Sequence, residues 1–350
     1  MGELCSFYKG RGISKENLSN SGTPCILYGE LYTTYKTAMA KSIKSKTNLD
    51  ASLLFHSKKN DVIIPCSGET AEDIATSVCV PYDDILLGGD LTVIRSKLDG
   101  AFLSNQINSV RKYDIARVAQ GKSIVHLQAD ELKKITIAFP SMEEQRKISN
   151  FIDKLDERIE VQNKIIEDLK VLKKELCSKL LANITEYKTL GELCSITTGK
   201  LDANANNPNG LYPFFTCGKE TLSINTYAFE GEAILIAGNG DIGHTKYYNG
   251  KFNAYQRTYV LMSFNASALF VKMGIDRYLS AKILEETQGG AMPYIKLSTL
   301  SSLKIPCPSE YMQKDIERQY QVIDQKIKNE IRYAKLLEHQ KAFFLNAMFI

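Results

Sequence analysis

The chain repeats itself, and no other feature restricts its fold as much. Gly2-Glu-Leu-Cys-Ser6 returns letter for letter as Gly191-Glu-Leu-Cys-Ser195, an offset of 189, and a Lys-Gly or Gly-Lys pair follows each copy within a few residues. The offset then falls to 172, where Val62-Ile-Ile64 with Gly68 aligns with Ile234-Leu-Ile236 with Gly240, an apolar strand running into a glycine turn. It falls again to 168, placing Leu132, Ile135, Ile137, Pro140, Ser141, Gln145 and Ile148 over Leu300, Leu303, Ile305, Pro308, Ser309, Gln313 and Ile316. The second unit is shorter by 21 residues. Such a chain has to build one arrangement twice.

Each unit closes with a segment free of Gly and Pro, 141–190 and 309–350, whose apolar residues step by alternating four and three, a coiled-coil signal. The first reads Ile148, Ile152, Leu155, Ile159, Gln162, Ile166, Leu169, Lys173, Leu176, Leu180. The second, 168 later at every step, reads Ile316, Tyr320, Ile323, Ile327, Glu330, Ala334, Leu337, Lys341, Phe344, Met348. Even the polar interruptions coincide, Gln162 with Glu330 and Lys173 with Lys341. Ser141-Met-Glu-Glu144 after Pro140 is a capping box that starts the first helix, while the second copy keeps Ser309 but has Met312. Two such helices in one chain most simply pair. The intervening segments carry short β-branched and aromatic runs broken by Gly, Asn, Asp and Pro, the pattern of strands and turns. Tyr247-Tyr-Asn249-Gly250-Lys-Phe252 reads as a hairpin with an Asn-Gly turn. The expected class is α+β: two mixed domains in tandem, 1–140 and 188–308, separated by two long helices, 141–187 and 309–350.

With 44% hydrophobic and 24% charged residues the chain is an ordinary folded protein, and its longest apolar runs fall far short of the roughly 18 residues a membrane helix needs. No secretory signal is expected, because Glu3, Lys9, Arg11, Lys15 and Glu16 interrupt the start, so a cytoplasmic location is expected. Eight scattered cysteines without a C-x-x-C pair argue against a zinc site or a dense disulfide framework. The net charge of +4 permits a nucleic-acid partner without requiring one.

Several motifs fail on context. Gly238-Asn-Gly240-Asp-Ile-Gly243 matches a dinucleotide-binding pattern, but a hairpin rather than a helix is expected after it, and no acid lies between Asp241 and Asp276 to hold a ribose. Gly121-Lys122-Ser123 ends like a phosphate-binding loop, yet the earlier glycine is Ala116 and the duplicate at Gln288-Gly289-Gly290-Ala291 has no Lys. Met1-Gly2-Glu-Leu-Cys-Ser6 fits an acylation pattern, but its letters recur internally. His56, His126, His244 and His339 are scattered without ligand or triad spacing, and no methyltransferase-type Asn-Pro-Pro-Tyr segment occurs, so neither a catalytic residue nor a metal site is expected.

Basic and amide-rich loops remain. In the first domain Tyr32, Tyr35, Lys36, Lys41, Lys44 and Lys46 occur between Leu31 and Leu49 with no acid, suited to several phosphates. In the second, Asn239, His244, Lys246, Tyr247, Lys251, Gln256 and Arg257 gather around the glycine loop, where amide and guanidinium groups can make paired contacts to bases. Both sets also fit ordinary solvated surface.

Taken together, Gly121-Lys-Ser-Ile-Val-His-Leu, then Leu132-Lys-Lys-Ile-Thr-Ile-Ala-Phe-Pro140-Ser-Met-Glu-Glu144-Gln-Arg-Lys-Ile148, then a coiled-coil helix, and the second copy Gln288-Gly-Gly-Ala-Met-Pro-Tyr-Ile-Lys-Leu with Ile305-Pro-Cys-Pro308-Ser, resemble the specificity subunit of type I restriction-modification systems. The resemblance covers essentially the whole chain. It implies two target recognition domains, each reading half of an asymmetric bipartite DNA target, held apart by an antiparallel coiled coil that acts as a ruler. It implies double-stranded DNA and two modification subunits as partners, with restriction subunits joining the complex. It also implies that this chain binds no cofactor, S-adenosylmethionine belonging to modification and ATP with Mg to restriction. One departure from the pattern is that the first copy starts at Met1 with no counterpart of Thr185–Leu190 and the chain has no Trp, so the first domain is expected to lack a leading strand. Competing readings are a scaffold or orphan DNA-binding protein that no longer directs methylation, and a nucleotide-dependent enzyme built on Gly238–Gly243.

Overall fold

A computed structural model of the protein describes residues 1–119, 121, 125–286 and 294–349. The chain divides into two compact units, Met1–Lys164 with Arg332–Ile350, and Ile165–Ile331. The long helices, Met142–Ala182 and Glu310–Met348, each contribute to both.

In the first unit, strands β1 (Cys5–Lys9), β2 (Asp61–Pro65), β3 (Val78–Val80) and β4 (Leu91–Ser96) form an antiparallel sheet in the order β1-β4-β2-β3. One row across it runs Phe7, Ile94, Val62, Cys79. In the second unit, β5 (Ser195–Thr198), β6 (Phe229–Ala237), β7 (Thr245–Ala254) and β8 (Thr258–Met262) take the equivalent order β5-β8-β6-β7, with the row Ile196, Leu261, Ile234, Tyr247. A one-residue slip would turn every apolar side chain to the wrong face, so a shared register reflects a shared core. Val62, Ile64, Ile94, Leu103, Ile107, Leu132 and Ile135 are buried together in one domain. Ile234, Ile236, Leu261, Val271, Ile275, Leu300 and Leu303 are their counterparts in the other. Each such side chain stabilises its domain by about 1.5–3 kcal/mol.

The domains differ in what they add to this frame. The second extends its sheet beyond β7 with Tyr212–Phe215, which runs parallel to β7, and Thr221–Ile224. The first instead builds a separate five-stranded sheet from Leu18–Ser19, Ser45–Thr47, Thr23–Ile26, Leu86–Leu87 and Phe55–His56. In the second domain Tyr187–Thr189 pairs with Lys304–Pro306, and the Leu190 N–H donates to the Leu303 carbonyl. In the first, the Met1 nitrogen reaches the equivalent Ile135 carbonyl and Gly2 N–H donates to Lys133, with no strand laid against 136–138 among the described residues.

The same glutamine seats each domain on its helix. Buried Gln145 donates to the Pro140 carbonyl at 2.9 Å and accepts from the Asp99 N–H at 3.0 Å. Gln313 donates to Pro308 at 2.8 Å and accepts from Ser267 N–H at 3.2 Å. The capping box forms as the sequence predicts, Ser141 Oγ donating to Glu144 at 2.8 Å and accepting from its N–H.

Within each unit the long helices pack antiparallel. In the first, Phe151 meets Phe344 edge-on with centroids 4.9 Å apart, Lys341 pairs with Asp156, and Arg158 bonds to Tyr333. In the second, Lys173 pairs with Asp324 and lies over the Tyr320 ring, while Cys177 and Leu181 pack with Ile316 and Tyr320. The four-three stepping marks the seam: Ile152, Leu155, Ile166, Ile316, Tyr320, Ile323, Ile327, Ala334 and Leu337 are buried, and Ile148, Ile159, Leu169, Leu176, Leu180, Phe344 and Met348 are half-buried. The two seam lysines are thus explained, each finding an aspartate on the facing helix. Asp156 and Asp324 are themselves 168 apart, so the pairs are equivalents.

The Asn249-Gly250 turn is corrected. Both residues lie inside β7, Asn249 opposite Glu232 and Gly250 opposite Gly231. A two-residue turn of this kind needs positive φ at both central residues, whereas here only Gly250 has it, matched across the ladder by Gly231. The hairpin turn is the Gly238–His244 loop, where Gly240 and Gly243 have positive φ, the Ala237 N–H donates to the His244 carbonyl and the Gly243 N–H donates to the Ala237 carbonyl. A strand follows it, which removes the dinucleotide-binding reading.

Candidate nucleic-acid interface

The structure scatters the first domain's basic stretch. Helix Glu30–Thr33 buries Leu31 and leads to Tyr35, which is 9% exposed and sits in the core with no hydrogen-bond partner for its hydroxyl. Tyr35 is therefore a packing residue and cannot reach a base. Lys41 is spent on the long helix, paired with Asp153 and Glu157. Lys36, Lys44 and Lys46 are exposed, without an ion-pair partner among the described residues, Lys46 on the strand Ser45–Thr47.

In the second domain the predicted residues also split. Lys246 donates to the carbonyls of Gly218 and Glu220 and to Thr221 Oγ1, holding the 218–221 turn rather than facing solvent, and burial lowers its pKa. Tyr247 donates to Glu232 at 2.6 Å, and burial together with that carboxylate pushes its phenol up to about 12. Lys251 lies 4.7 Å from the Tyr227 ring centre and near Glu230. The His244 pKa is lowered, first by burial and then by Lys246.

Asn239, Gln256 and Arg257 come together. With Thr198, Gly238, Tyr259, Tyr294 and Ile295 they line a cleft of ≈ 380 Å³. Three backbone bonds frame it: Gly238 N–H to Arg257, Ile295 N–H to Gly238, and Gly199 N–H to Thr258. None of the three polar side chains has a protein partner among the described residues.

The first domain has the same cleft. Cys66 N–H donates to Asp90, Leu127 N–H to Cys66 and Gly10 N–H to Leu91, the same three bonds at equivalent positions. Around them Lys9, Cys66, Asp90, Thr92, His126 and Leu127 line a cleft of ≈ 500 Å³. Lys9, Asp90 and His126 are exposed, without a polar partner among the described residues, and Asp90 holds a left-handed backbone with φ +57°. Sequence reasoning missed Lys9, Asp90, His126, Thr198 and Tyr294. The signal was present, since carrying the repeat register to its ends aligns Lys9 with Thr198 and His126 with Tyr294.

Lys122, Ser123 and 288–291 lie outside the described residues. Among the described residues no group of His, Cys, Asp and Glu could hold a metal, and no helix is long and apolar enough to cross a membrane. All eight cysteines are free thiols.

Comparison with known proteins agrees with this architecture. A family model described as the type I restriction modification DNA specificity domain matches residues 1–171 and 185–337. The type I restriction enzyme EcoDI specificity subunit of Escherichia coli is 44% identical over 129 residues, 36% of this chain and 29% of that protein, so the match spans under a third of that relative. The crystal structure of an S subunit from a type I restriction-modification system of M. genitalium superposes with a TM-score of 0.64 at 20% identity, covering 100% of this chain and 94% of that one. A chain from work on complex assembly and conformational transition of the type I system gives 0.61 at 18% identity, covering 99% and 95%.

Proposed function

Because the chain belongs to the type I restriction-modification DNA specificity family, we propose that it is the DNA-reading, non-catalytic member of a modification complex, each domain reading one half of an asymmetric bipartite sequence. The observation that carries this reading is the duplicated frame: one sheet register and one glutamine seat, made twice, under loops that differ. A frame preserved under divergent loops suits two reading heads for two different half-sites. The helix pair sets the half-site spacing, since a packed antiparallel pair cannot stretch. Val161, Ile165 and Leu172 on the first long helix, and Val322, Leu336 and Phe343 on the second, are exposed apolar residues suited to docking modification subunits. Those subunits bring S-adenosylmethionine, and restriction subunits bring ATP and Mg.

Single-molecule sequencing for N6-methyladenine tests this in cells carrying the chain with the modification subunit of its system. An asymmetric two-part motif, absent when the chain is deleted, is expected. No motif that depends on the chain, in cells where the complex assembles, overturns it and leaves a scaffold.

A further inference from the structure

The two clefts occupy one place in the repeated frame, yet one equivalent position carries opposite charge: Asp90 stands in the first where Arg257 stands in the second. We propose that these twin clefts are where each domain reads a base edge, and that the Asp90-for-Arg257 exchange is a cause of the difference between half-sites. The inference rests on the reading that each domain contacts DNA.

Three observations lead to it. The side chains are uncommitted: among the described residues neither the Asp90 carboxylate nor the Arg257 guanidinium has a hydrogen bond or ion pair, while Lys41, Lys246 and Tyr247 are tied to the protein. The backbone around them is not free to drift, being held by the same three bonds in each domain. And Asp90, exposed in the wall of the cleft, keeps φ +57°, a left-handed conformation that Asp adopts more readily than most residues.

Chemistry then separates the two. A carboxylate only accepts hydrogen bonds and repels phosphate, so at a DNA surface Asp90 suits an exocyclic amino group, cytosine N4 or adenine N6. A guanidinium only donates, in a fork that matches O6 and N7 of guanine, with the Gln256 and Asn239 amides beside it able to take an adenine or support the guanine contact. The first half-site should therefore carry an amino-bearing base where the second carries a guanine or purine edge.

The test uses the full chain with its modification subunit, sequencing N6-methyladenine for the unaltered chain, Asp90→Asn, Arg257→Ala and the milder Arg257→Lys. Arg257→Ala is expected to relax one position by about tenfold or more in one half only. Arg257→Lys, which keeps charge but loses the fork, should relax the same position less. Asp90→Asn should alter one position in the other half. A two-part motif indifferent to all three substitutions overturns this inference alone, as does a change in both halves from a single substitution. No motif with the unaltered chain overturns the underlying reading and this one with it.

Discussion

The two domains share the packing of one frame and, at the cleft that frame builds, differ in what is left unpaired. Ile94 and Leu261 occupy one register position, Leu132 and Leu300 one core position, and Gln145 and Gln313 one seat. At the cleft the backbone bonds are again shared, but Lys9, Asp90 and His126 stand in one domain at the positions that Thr198, Arg257 and Tyr294 hold in the other. A buried side chain is fixed by many neighbours at once, whereas a partnerless exposed one can change without cost to the fold. Divergence therefore gathers where a ligand, and not the protein, supplies the partner.

The helix ion pairs offer the sharpest contrast, because equivalent pairs sit in unequal surroundings. Asp156 and Lys341 side chains are 9% and 19% exposed, and Asp324 and Lys173 are 29% and 21%. Lys341→Met leaves a buried carboxylate alone and should cost about 3 kcal/mol in denaturant unfolding. Lys173→Met should cost about 1 kcal/mol, since Asp324 is better solvated and keeps Lys328. Equal losses would show that burial does not separate the pairs. Their pH dependence should also have opposite signs. Burial outweighs Lys341 and raises the Asp156 pKa, so the folded state holds its proton more tightly and this group's contribution to stability falls as pH rises through the window above 3.8. At Asp324, burial is outweighed by hydrogen bonds from Lys173 and Lys328, so its pKa is lowered and its contribution is present above 3.8 and lost as pH falls. Against the parent, Asp156→Asn should gain relative stability as pH rises from 4 to 6 by roughly a few tenths of a kcal/mol or more. Asp324→Asn should lose it as pH rises from about 3 to 4.

The glutamine seats should behave alike. Gln145→Ala and Gln313→Ala each remove two bonds and strand a backbone N–H, at Asp99 or Ser267. Each should cost about 1–3 kcal/mol, with the two values close together. Unequal losses in thermal unfolding would mean that only one domain depends on its seat.

Repetition made the frame legible in the sequence. Aligned offsets located β2 and β6, the capping box, the helix seams and both lysine interruptions, because burial imposes period and period survives in one sequence. The aspartates opposite those lysines were not legible, since facing residues on antiparallel helices have no fixed sequence separation. Asn249-Gly250 misled because a turn dipeptide can also sit in a long ladder when a second glycine, Gly231, lies across from it. The site was least legible. Lysine count could not tell Lys41, held by Asp153 and Glu157, from Lys44, and Asp90, an acid outside every basic stretch, drew no notice until the fold placed it at Arg257's position.

The smallest effects test whether the basic residues of the two domains differ as their surroundings indicate. Lys44 and Lys46 are exposed on the first domain, without ion-pair partners among the described residues, so each can release a counterion on meeting a phosphate. In the assembled complex, Lys44→Ala and Lys46→Ala should each make the dependence of log affinity on log salt shallower by about 1, without altering the sequence read. Lys41→Ala should leave that slope unchanged, its charge being matched by two carboxylates on the helix, and should cost under about 1 kcal/mol of stability because the pair is partly solvated. Lys246→Met should also spare the slope, since its ammonium is spent on the 218–221 turn. A slope that falls with Lys41 or Lys246 and not with Lys44 or Lys46 would put the phosphate path on the opposite set of lysines. DNA would then compete with bonds that now hold the protein together, and binding would have to open one domain's contact with its helix or the other's turn.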